Sequence, residues 1–203
     1  MSRALMTQGI AEASRFKVPD FRAPAFRAKL AGALYFFSLL TAASDESLLR
    51  GRLRIPAGLI AVAGMAVMTV LLYDIYDIFK PVSPSVSLLA VLFAFMGLTL
   101  ETVRLQPQGL NIALLFHGFY CILIGYLIFK STFLPRILSA LMAFAGLGWL
   151  TYLSNPLANH LSPCFLASGL LGDVSVFLWL LVIGVNAQHW TEQANWRSQR
   201  AFD

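Results

Sequence analysis

The chain has 203 residues, of which 58% are hydrophobic and 12% charged, and its net charge is +5. Soluble domains carry about 25% charged residues. Half that polar complement cannot cover an apolar interior of this size, so a water-soluble globule is excluded in favour of a chain whose solvent is lipid. The basic residues form no run interleaved with aromatics, which excludes a nucleic-acid surface, and their uneven spacing points to membrane orientation and anionic lipid.

Residues 1–24 hold Arg3, Arg15, Lys17 and Arg22 against Glu12 and Asp20, with a patchy amphipathic pattern from Ala4 to Phe16. They read as a basic tail rather than a secretory signal, because no apolar core region is present. The first span is short, Leu30 to Ser44, and reaches membrane length only if Phe26 to Lys29 join it with Arg27 and Lys29 snorkelling. A loop with Arg50, Arg52 and Arg54 follows. The second span opens at Ile55-Pro56 and is apolar to Tyr73, after which Asp74, Tyr76 and Asp77 read as an interfacial belt. A turn at Lys80 to Pro84 leads to the third span, Ser85 to Val103, which contains Glu101.

The fourth span is Leu110 to Phe129 and contains His117. A loop from Lys130 to Arg136 joins it to the fifth, Ile137 to Leu153. Asn155, Pro156, Asn159, His160 and Pro163 are expected to form the next loop. The sixth span, Phe165 to Val185, contains Asp173, and a polar tail with His189, Arg197 and Arg200 ends the chain. With both termini cytoplasmic, inner segments hold eleven basic residues and outer segments four, which fixes the expected orientation. Small residues such as Gly32, Gly118, Gly125, Gly146, Gly169 and Gly172 suit close helix contacts.

A charged side chain inside a span costs about 2.5–3.5 kcal/mol on the insertion scale, so one that is retained faces protein or water. At about 1.5 Å per residue, Glu101 lies roughly 3–6 Å, His117 about 10 Å and Asp173 about 12 Å from the outer ends of their spans. All three are binding candidates for one outer cavity, and the same three are the candidate metal ligands. The plainer alternatives are a Glu101–Arg104 pair on one helix, a His117 bond to a backbone carbonyl, and an Asp173 that only clamps a helix contact. His160 and His189 are too shallow to join His117 as haem ligands. Cys121 lies midway along one run and Cys164 at the edge of another, so neither a disulfide nor a Cys/His zinc spacing is expected. No GxSxG, HExxH or phosphate-binding glycine loop is present, and no motif names a cofactor.

The run His117, Gly125-Tyr126-Leu127, Ser131, Leu134-Pro135-Arg136-Ile137-Leu138 and Ala145-Gly146-Leu147-Gly148 resembles the bacterial membrane family catalogued as domain of unknown function 4386. The resemblance covers most of residues 27–190. It implies six spans, an acid in the last (Asp173) and an acid late in the third (Glu101). Ser139 and Trp149 stand where Gly and Tyr would be expected, and the first outer loop is short. The resemblance implies an architecture and no activity.

The expected fold is therefore all-α, a polytopic integral membrane six-helix bundle over residues 27–190. It is preceded by a basic cytoplasmic segment, 1–26, and followed by a polar cytoplasmic tail, 191–203. The expected location is a bacterial inner membrane. The expected partners are the lipid bilayer and a small lipophile, not nucleic acid. Three classes of function stay open: an accessory bundle locked by its polar residues, which leads; binding or transport of a lipophile or ion through an outer cavity; and a membrane enzyme using Glu101, His117 and Asp173.

Overall fold

The computed structural model describes residues 23–43, 57–103, 112–151 and 155–200, and every regular element among them is a helix. These are α1 (Pro24–Ala43), α2 (Ala57–Phe79), α3 (Pro84–Val103), α4 (Ile112–Lys130), α5 (Arg136–Leu150), α6 (Asn155–Val182) and α7 (Ala187–Arg200). Prolines set several starts. Pro24 and Pro84 open α1 and α3, where a missing N–H has no helical partner to lose, and extended Pro135 precedes α5. Gly184 ends the run of α6 at φ 80°, with the N–H groups of Ile183 and Gly184 both donating to Trp179 O. That left-handed cap lets the chain turn by 102° into α7.

Each of α1 to α6 packs on its neighbour in sequence, and α1 closes on α6. The contacts thus form a ring whose two ends differ. At the α7 end the interior is packed solid with Ile75, Ile78, Phe79, Ile124, Ile128 and Leu180, all fully buried. Across this end α7 lies as a strap. Trp190 Nε1 donates to Ile78 O at 2.9 Å, Arg197 Nη1 to Val82 O at 2.9 Å, and Gln193 bonds both Thr132 N and Lys130 O. Arg27 of α1 pairs with Asp77 of α2 nearby, and its guanidinium lies 5.3 Å from the Tyr73 ring centroid.

Glycines bring the helices together. A Cβ on Gly146 of α5 would stand 2.8 Å from Gly118 O of α4, and one on Gly172 of α6 would stand 2.5 Å from Ala145 Cβ. Without a difference in hydrophobicity between lipid and Leu, such close approach is what holds apolar helices to each other. Among the described residues, α3 (as Pro84–Glu101) and α4 are long and apolar enough to cross a membrane, and α5 is apolar but shorter at 15 residues. Gly169–Val182 with Ala187–Gln199 forms a further bent apolar pair. Leu88, Leu92, Phe95 and Met96 of α3 are each about half exposed, an outward apolar stripe of the kind a lipid-facing helix carries.

Helix α2 runs through the expected belt to Phe79, up to the expected turn at Lys80, with Asp77 paired to Arg27. Two expectations change. The stretch expected as a loop, Asn155 to Pro163, is helical, so α6 begins ten residues before Phe165. Pro156 occupies its first turn at no cost, and proline further inside is tolerated when neighbouring helices support the backbone. The polar tail forms α7, anchored by the bonds just described. Residues 1–22, the three arginines of the first loop and Arg104 lie outside the described residues.

Gly172→Ala should lower the melting temperature in detergent, since the new methyl meets Ala145 Cβ and the Leu141 carbonyl; overpacking of this kind costs about 1–3 kcal/mol. Gly64→Ala is the matched control. Its Cβ meets nothing within 4 Å, and the change should be neutral or raise stability by up to about 1 kcal/mol through helix propensity.

Candidate functional site

His117 and Cys121 are four residues apart on α4 and so project from one face of that helix. Asp173 comes to the same face from α6. His117 Nε2 lies 2.9 Å from Asp173 Oδ2, and Cys121 Sγ lies 3.5 Å from Asp173 Oδ1. A carboxylate only accepts, so the imidazole N–H and the thiol both donate and each carboxylate oxygen has a partner. Cys121 is fully buried and Asp173 is 2% exposed, whereas the His117 side chain keeps 33% of its surface open. Nitrogen, sulfur and oxygen atoms of the three residues lie within 4.8 Å of one another.

Aromatic rings fix the imidazole. The Trp149 indole of α5 meets it edge-on, with centroids 5.5 Å apart, and Tyr120 lies at 5.6 Å. Trp149 can sit there because α6 presents Gly169 at that level, where a Cβ would approach its ring to 2.6 Å. On the opposite wall Tyr35 of α1 stacks on Phe177 of α6 at 3.9 Å.

These groups border a cavity of about 310 Å³ in the half of the ring away from α7. Every one of α1 to α6 contributes to its lining, including Tyr35, Met68, Leu98, Tyr120, Trp149 and Phe177. The walls are mainly apolar, and His117 and Asp173 supply a polar floor. A larger groove of about 710 Å³ runs under α7, lined by Thr132, Glu192, Gln193 and Arg197 among others. It is a cleft of mostly exposed polar side chains, whereas the smaller cavity has mainly apolar walls and a few convergent polar groups, so the smaller cavity is the better site.

Of the three residues expected to converge, His117 and Asp173 meet. Glu101 does not join them: it is exposed on the last turn of α3 and borders the same cavity. Cys121 takes the third place instead. Its spacing from His117 was the available signal, but inside an apolar run a cysteine reads as one more small hydrophobe. Tyr35 and Trp149 are brought in by tertiary packing that no local pattern reports. Asp74, read as interfacial, is buried at 4%. Asp173 also lies nearer the α7 end of its helix than expected, because α6 starts at Asn155.

Residues 97–184 match the family model described as Domain of unknown function (DUF4386). An uncharacterized protein of Archaeoglobus fulgidus is 28% identical over 116 residues, covering 52% of this chain and 69% of that protein. No solved structure matches. The family match thus supports the resemblance over its central and most specific part, with an archaeal relative beside the bacterial expectation, and it brings no molecular function.

Removing one partner of a fully buried ion pair costs about 3–5 kcal/mol. The open face of His117 reduces this, so Asp173→Asn is expected to destabilise by about 1–3 kcal/mol. A double-mutant cycle with His117→Gln should return a coupling energy of about 0.5–3 kcal/mol. Exposed Glu101→Gln should stay within about 0.5 kcal/mol of the parent. Thermal unfolding in a single detergent measures the wild type and all four variants.

Proposed function

We propose that this chain is a six-span integral protein of a cytoplasmic (inner) membrane, with both termini in the cytoplasm. We further propose that its ring of helices binds a small lipophilic molecule in the cavity above the His117–Asp173 pair. Support for the topology comes from charge and contacts together. The end strapped by α7 carries Lys80, Lys130, Arg136 and Arg197, which the positive-inside rule assigns to the cytoplasm. The ring of six sequential helices is the packing such a topology would produce. The cavity then opens toward the outer face.

One observation carries the binding reading: an apolar cavity of about 310 Å³, built by all six helices of the ring, beside a bonded and largely buried His–Asp pair. Side chains that served only to lock helices would be packed around, as they are at the α7 end. Apolar walls hold water poorly and favour an apolar body. The volume sits at the lower end of ligand pockets, about 300–1,000 Å³, which suits a compact molecule with one polar head. In this reading His117 and Asp173 orient that head and Trp149 packs against its neighbour. This reading displaces the accessory bundle as the leading one.

Native mass spectrometry of protein purified in mild detergent should find one small lipophile retained per chain. Ala94→Trp, which fills the cavity from α3, should lose it while helical circular dichroism is kept, and His117→Gln should reduce retention at least tenfold. A wild-type protein free of any bound species, with Ala94→Trp indistinguishable from it in binding added lipid extract, would overturn the reading. A reporter fused after Asp203 should read cytoplasmic, and a periplasmic signal would break the six-span count.

A further inference from the structure

We propose that His117, Cys121 and Asp173 form a three-ligand site for a zinc-class divalent cation, with a fourth coordination position open to the cavity. The proposal does not rest on lipophile binding. Its starting point is the donor set. One imidazole nitrogen, one thiol sulfur and one carboxylate oxygen, from two helices, already lie within 4.8 Å of one another. In a tetrahedral site with Zn–N and Zn–O near 2.0 Å and Zn–S near 2.3 Å, ligand atoms stand about 3.3–3.7 Å apart. Cys121 Sγ lies 3.5 Å from Asp173 Oδ1, which meets that spacing, while His117 Nε2 faces the other carboxylate oxygen, Oδ2, at 2.9 Å, so the imidazole and carboxylate must readjust for all three ligands to share one ion through a single oxygen. His117 keeps a third of its side-chain surface open and borders the cavity, so this side of the donor set is not closed off by protein.

The mixed donors select the ion. A thiolate and an imidazole are poor ligands for Mg²⁺ and Ca²⁺, which take oxygen, and suit Zn²⁺. Charge favours the same ion. On binding, Cys121 gives up its thiol proton to solvent and His117 gives up the proton on Nε2, taking one on Nδ1 so that the imidazole stays neutral; the thiolate and the Asp173 carboxylate together then cancel a charge of +2. A neutral cluster is what an apolar surrounding tolerates, whereas an isolated carboxylate there is costly. Three protein ligands and one open position make a site that can bind water or the polar head of a guest, the pattern of reactive rather than structural zinc. Glu101, on the exposed end of α3, is outside this donor set.

The test uses full-length protein in mild detergent, stripped with chelator and titrated with Co²⁺, which reports tetrahedral geometry through visible absorption and thiolate ligation through a near-ultraviolet charge-transfer band. The wild type should take one equivalent with a dissociation constant of about 1 μM or tighter. Cys121→Ser should lose the charge-transfer band and bind at least tenfold more weakly, His117→Ala should also bind at least tenfold more weakly, and Glu101→Gln should titrate as the wild type does. Circular dichroism verifies each variant's fold. Folded wild type that takes up no Co²⁺ overturns the proposal, as does an unchanged titration for Cys121→Ser and His117→Ala, or loss of the metal in Glu101→Gln. Native mass spectra of the chelated protein separate the two readings. Lipophile retained without any Co²⁺ uptake overturns the metal site alone, and Co²⁺ uptake without a lipophile overturns the lipophile alone.

Discussion

A carboxylate in an apolar interior must find donors, and Asp173 is the residue on which the arrangement of the other helices depends. It is 2% exposed, and each of its oxygens faces a donor on α4, one the imidazole of His117 and the other the thiol of Cys121. Those two donors are one helical turn apart, so a single face of α4 satisfies the acid. The register between α4 and α6 is fixed in this way. Sliding either helix by one residue would carry one donor out of reach and leave a buried acceptor unpaired, at a cost of about 1–3 kcal/mol. Helix α5 stands between them in the chain, and its glycine contacts on both sides keep the three helices near enough for the bonds to form.

The ring is asymmetric along its length. At one end large aliphatic side chains meet and α7 ties together the turn after α2 and the loop after α4. Arg27 and Asp77 neutralise each other there without opening a space. At the other end the aromatic residues Tyr35, Tyr120 and Trp149 stand around a gap instead of filling it. Met68, Leu71, Leu98 and Leu114 share that lining with the rings. The imidazole of His117 lies at the boundary between the packed and open halves and is the one member of the polar cluster with surface to spare.

The fold was largely legible in the sequence because the signals were physical extremes. Runs such as Leu110 to Phe129 admit few structures other than an apolar helix, and Pro84 and Pro135 sit where helices begin. Asn155 to Pro163 misled because Asn and Pro mark loops in general, while Pro156 happened to fall in a first turn. The polar tail misled because α7 carries few apolar residues to announce it; it is held by Trp190, Gln193 and Arg197 bonding to distant carbonyls. Within the site, His117 and Asp173 were visible because an ionisable group inside a span is costly. Cys121 and Trp149 were not, since a cysteine and an indole among apolar residues cost nothing that a sequence would reveal. Glu101, placed with the trio on depth and on the resemblance, does border the same cavity, but depth does not report the direction in which a helix points its side chain, and it stands apart from the bonded cluster.

The region matched by the family model, residues 97–184, divides the site in an informative way. It contains His117, Cys121, Trp149 and Asp173, so the entire polar cluster and the ring that orients it come from α4, α5 and α6. Tyr35, Met68, Leu71 and Leu72, which shape the facing wall, come from α1 and α2 and precede it. The donors thus lie on α4 and α6 alone, while the apolar lining is shared by all six helices of the ring, with Leu114 and Tyr120 of α4 and Leu170 and Phe177 of α6 beside the polar cluster itself. Under the proposed binding reading, substitutions in α1 and α2 would reshape the facing wall without touching the imidazole, the thiol or the carboxylate, whereas those in α4 and α6 would act on shape and polarity together.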